Sequence, residues 1–82
     1  MDTDDSLRNM VSHRVTLDYE SGVRLVGYLT ACKPQSGPVQ VVQLTRVEVQ
    51  DPAGRILDTA KETLAVPGAF LAIRVTEGPG GF

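Results

Sequence analysis

The chain has 82 residues, 41% of them hydrophobic, with two Tyr, two Phe and no Trp, so it can form one small domain whose core rests on aliphatic packing and gains from self-association. The formal charge of −2 lacks the strongly basic footprint of a protein that neutralises many phosphates, although a local basic patch is compatible with it. One cysteine and one histidine rule out an intramolecular disulfide and the usual soft zinc set, no apolar run approaches the roughly 20 residues of a membrane span, and the acidic opening Asp2, Asp4, Asp5 is not the pattern of a signal peptide.

In chain order, acids at the start followed by Leu7, Met10 and Val11 at spacings of three and four predict a short helix over about residues 3–12, with Arg8 and His13 toward its negative end. From Arg14 the period changes to two. Val15, Leu17 and Tyr19 alternate with Thr16, Asp18 and Glu20, a strand with one buried face, and Glu20-Ser21-Gly22 turns the chain into a second strand over Val23 to Cys32. In that strand Val23, Leu25, Gly27, Leu29 and Ala31 share a face, so Gly27 stands where a core side chain belongs, and its bare backbone lets the strand bend over the core. Cys32 is read as a small strand residue.

Lys33 to Pro38 is a Pro/Gly-rich loop, and Val39 to Gln50 is a third strand whose alternation slips between Gln43 and Arg46, which predicts a bulge or strong bend there. Asp51-Pro52-Ala53-Gly54 is a turn. Residues 58–63 fit either a strand or a helical turn. Pro67-Gly68 forms a corner, Ala69 to Thr76 a last strand, and residues 77–82 a flexible tail.

A short helix, five strands, a glycine-bent second strand and a glycine corner before the last resemble the Sm and Sm-like family of small β-barrels over about residues 5–75. The family's first motif matches Val15, Leu17, Gly22, Gly27 and Leu29, and its second matches Val66, Pro67, Gly68 and the apolar Phe70, Leu71 and Ile73. The resemblance implies a mainly β fold, a strongly bent five-stranded antiparallel barrel within one domain of residues 1–76, with Gly22, Gly27 and Gly68 defining it. It also implies assembly of copies into a ring by pairing of the fourth strand with a neighbour's fifth, with Val66, Phe70, Leu71 and Ile73 at the interface.

Members of the family that bind uridine-rich RNA resemble one another in an Asp and an Asn in the loop after the bent strand and an Arg before the second-motif glycine. Here those places hold the Lys33 to Pro38 loop and Pro67, so neither the base-edge readers nor the stacking guanidinium is present. The acids have no matched histidine or metal set and no glycine loop cradles a phosphate, so no catalytic, metal or cofactor residue is expected. The reading is a cytoplasmic, non-catalytic homo-oligomer that offers repeated surfaces to a partner protein. Its alternative is an RNA-binding ring using surface cations, drawn from Arg8, Arg14, Arg24, Lys33, Arg46 and Arg74, with Arg24, Lys33 and Arg46 the leading contacts.

Overall fold

The computed structural model describes residues 3–79, with side chains described for residues 6–76. A helix α1 (Thr3–Asn9) precedes five strands: β1 (His13–Asp18), β2 (Arg24–Lys33), β3 (Val41–Gln50), β4 (Ile56–Ala65) and β5 (Ala72–Pro79), with a single 3₁₀ turn at Pro67–Ala69. All neighbours are antiparallel in one sheet of order β4-β3-β2-β1-β5. The helix stops at Asn9, earlier than the apolar spacing predicts, because Ser12 takes a left-handed conformation with φ 79° and its amide donates to Leu29 O at 2.8 Å. That bond ties the helix exit directly to the bent strand.

The bend is built from two compensating irregularities. Val26 faces Glu48 while Tyr28 faces Thr45, so Arg46 and Val47 both stand opposite Gly27, a bulge on β3. Leu29 then faces Leu44 while Ala31 faces Gln43, so Thr30 is an extra residue on β2 and the original register returns. The slip expected between Gln43 and Arg46 is therefore present, with Arg46 itself at φ 54°. The second irregularity shifts the predicted inner face of β2: Cys32 is buried and Ala31 is only half-buried.

Gly27 is required by close approach. A Cβ there would lie 2.9 Å from the Thr45 carbonyl oxygen and 3.3 Å from Val47 Cγ2. Gly22 has φ 93°, and a Cβ on it would also meet Pro52 Cγ at 2.8 Å, so packing of the β1–β2 turn on the β3–β4 turn adds to the conformational demand expected from sequence. Gly68 differs from both. It has no positive φ, and a Cβ on it would meet nothing within 4 Å, so sterics do not make it fold-defining.

Leu7 from the helix joins Val15, Leu17, Leu29, Val42, Leu44 and Val47 in a core whose largest members are under 2% or just at 2% exposed. Tyr19 packs edge-on against Phe70 at 6.3 Å and 72°, and its burial raises the phenol pKa. The β3–β4 turn is fixed by Asp51, whose Oδ1 accepts the amides of Arg55 at 2.8 Å and Ala53 at 2.9 Å; these bonds, the Arg55 amide foremost, hold its carboxyl below the usual carboxylate range. Residues 58–63, open between strand and helix from sequence, are strand, held by pairing to β3. The last strand starts at Ala72 and runs to Pro79, into the segment expected as a tail; residues 80–82 of that expected tail lie outside the described residues.

Candidate functional site

The two ends of the sheet are the first candidates. Among the described residues β4 is flanked only by β3 and β5 only by β1, so each presents an outer row of amides and carbonyls with no described strand beside it. The large exposed apolar residues collect there: Ile56, Leu57, Leu64 and Val66 on and just after β4, Leu71 and Val75 on and just before β5. Of the four residues expected at an interface, Val66 is 57% and Leu71 71% exposed. Phe70 and Ile73 are half-buried and pack against the core instead, because β1 and Tyr19 cover them from inside. Sequence reading did not single out Ile56, Leu57 and Leu64, whereas Val75 lies in the apolar stretch read as the last strand; the signal for Ile56 and Leu57 is an apolar pair between Arg55 and Asp58, and Leu64, between Thr63 and Ala65, carries none.

The second candidate is the loop between β2 and β3, the place where the family resemblance sets a base pocket. Its Lys33–Pro34 peptide is cis, and Gln40 N donates to Lys33 O at 2.8 Å, closing the loop at its base. Arg8 reaches across from α1, and its Nη2 donates to Pro34 O at 3.2 Å and to Gly37 O, while its Nε is buried without a partner. The helix thus fastens the loop through its carbonyls. We expect Arg8→Met to raise amide exchange across residues 34–40 by about tenfold, the loss of one to two charge-assisted bonds, while the β1–β3 core amides stay slow. Hydrogen exchange read by mass spectrometry checks this; a loop that exchanges no faster in the variant means the clamp is idle.

The third candidate is the basic surface, and here the structure sorts the residues. Arg14 lies 3.6 Å from Glu48, Arg24 3.7 Å and Arg74 3.1 Å from Asp18, and Arg55 3.2 Å from Asp51. These partly exposed pairs contribute little stability. They do occupy the side chains of Arg14, Arg24 and Arg74, the last two sharing the single charge of Asp18, and Arg8 is held by the loop. Lys33 and Arg46 remain, both exposed and with no side-chain hydrogen bond or ion pair among the described residues. The structure adds Lys61, which sequence reading passed over: Thr45 faces Glu62 and Val47 faces Ala60, so Arg46 stands opposite Lys61.

The described residues form no pocket, hold no group of three His, Cys, Asp or Glu able to bind a metal ion, and include no helix long and apolar enough to cross a membrane.

A single antiparallel sheet bent back on itself at Gly27, with a short helix over the loop end, defines a small β-barrel class. No protein-family model and no curated protein matches the sequence. Among solved structures the chain is similar to an Sm protein from Pyrococcus abyssii in complex with a uridine heptamer, with TM-score 0.76 and 17% identity over 93% of this chain and 100% of that one. The protein has an Sm-like fold.

Proposed function

We propose that this chain is a non-catalytic assembly module that pairs its β4 edge with the β5 edge of a second copy and offers the repeated surface to a partner protein. The observation that carries this reading is the coincidence of the two unpaired edges with the exposed apolar residues Ile56, Leu57, Leu64, Val66, Leu71 and Val75. A monomer that keeps such edges open is prone to uncontrolled strand addition, and pairing of unlike edges removes both once the assembly closes into a ring. Light scattering at micromolar concentration tests it: several multiples of the 8.8 kDa chain are expected. Capture of a protein partner by the assembled form and not by a dissociated variant is the accompanying result.

A second reading, RNA binding by surface cations, is favoured by the uridine heptamer in the similar Sm structure. The residues here speak for contact without base readout, since the Lys33 to Pro38 loop and Pro67 stand where an Asp and an Asn, and an arginine, would be expected. Uridine and adenine heptamers should therefore bind equally and weakly, and only at low salt. Tight, salt-resistant preference for uridine, measured by fluorescence anisotropy, would reverse the order of the two readings.

A further inference from the structure

We propose that Arg46 and Lys61 form a site for a chain of phosphate groups on the exposed middle of the β3–β4 ladder. The site rests on the second reading, contact by surface cations, and deepens it by adding Lys61 to Arg46; it needs neither self-association nor base recognition.

Three observations converge on this pair. The first is that, among the described residues, no acid beside them forms an ion pair with either cation: Glu48 lies 3.6 Å from Arg14 and accepts from Gln50 at 3.3 Å, and Glu62 accepts from the side-chain amide of Gln43 at 3.1 Å. The second is placement: the bracketing pairs Thr45–Glu62 and Val47–Ala60 set Arg46 directly across from Lys61, and like charges opposite each other weaken a sheet. The third is backbone conformation. The bulge needs a left-handed residue at position 46, φ 54°, where glycine or asparagine sits with less strain than arginine.

The fold therefore carries two local costs at one exposed spot, a repulsion between like charges and a left-handed backbone, and neither the bend nor the core uses the two charges. An anion that spans the pair relieves the repulsion; the backbone cost stays, so what an arginine brings to this position is its side chain. An arginine fork beside a lysine point charge suits consecutive phosphates, the fork taking two oxygens of one group and the ammonium the next. Because strand pairing uses backbone groups, a second copy on the β4 edge leaves both side chains on the sheet surface, so an assembly would repeat the site once per copy. Such a phosphate chain is either a ribose–phosphate backbone or inorganic polyphosphate.

The experiment uses the full chain with three probes at low salt: fluorescent uridine and adenine heptamers, and inorganic polyphosphate as competitor and as ligand. Arg46→Gly and Lys61→Gln together should weaken binding about tenfold and reduce the log–log salt slope by about 1.4, two phosphate contacts on a single strand. Arg55→Gln, which removes an exposed but paired guanidinium, controls for net charge and should change the slope little. The melting temperature of Arg46→Gly should be no lower than that of the unmodified protein, separating a ligand role from a structural one. Binding of polyphosphate alone keeps the site and ends the RNA reading. No binding of any probe, an equal loss in Arg55→Gln, or aggregation of the double variant with binding unchanged overturns the proposal; the last would make the two cations guards of the β4 edge.

Discussion

Gly27→Val should lower the melting temperature by roughly 15–25 °C or prevent folding. The reason is not the loss of a contact but the arrival of atoms where there is no room. Even the first added carbon would lie 2.9 Å from the Thr45 carbonyl oxygen, a backbone atom that cannot swing aside, and 3.3 Å from Val47 Cγ2. Overpacking of a filled core commonly costs 1–3 kcal/mol, and a clash with backbone places this site at the upper end, about 3 kcal/mol or more. In a domain this small each kcal/mol moves the midpoint by about 4–8 °C, and the whole stability is of order 5–10 kcal/mol. Gly68→Val is the matched control. Nothing lies within 4 Å of its added carbon, and an exposed corner should tolerate it within about 0.5 kcal/mol. Thermal melts by circular dichroism decide the matter: equal behaviour of the two variants would mean that Gly27 is not what holds the bend.

Leu71→Asp should dissociate the assembled protein and leave the fold intact, whereas Ile73→Asp should unfold it. The two residues are two apart in sequence, yet Leu71 is 71% exposed beside the β5 edge while Ile73 packs against the core opposite Leu17. Burying a leucine at an interface contributes about 2 kcal/mol, so replacing it by a charge weakens each contact more than tenfold. A half-buried aspartate set against the core without a partner is a large cost for a small domain. Light scattering paired with circular dichroism distinguishes dissociation from unfolding. A stable 8.8 kDa monomer in the unmodified protein would end the assembly reading and leave the fold untouched.

Much of the architecture was legible in the residues because the bend leaves a mark: a glycine in an apolar face on β2 and a broken alternation on β3. Its counterpart at Thr30 was not legible. Thr30, Ala31 and Cys32 are small enough to sit on either face, so a register shift there changes no pattern. The helix end was missed because Ser12, not a glycine, takes the left-handed position. Residues 58–63 stayed ambiguous because β4 is exposed along nearly its whole length and needs no alternation; pairing to β3, a non-local fact, is what makes it a strand. The same applies to the surface cations. Six were visible as candidates, but which are paired, and that Lys61 faces Arg46, depends on register between distant segments.

The paired bulges have a geometric consequence for anything built from this chain. They cancel in register, so the ladder on either side runs on undisturbed while the direction of the sheet has turned between them. The orientation of the β4 edge relative to the β5 edge in one copy is therefore stored at Gly27, Thr30 and Arg46 rather than at the edges themselves. Edge-to-edge assembly copies that angle at every joint, and the number of copies that closes is a whole turn divided by it. Softening a bulge would first change how many copies meet, as mixed sizes or open arcs, before it changed how tightly any two of them hold.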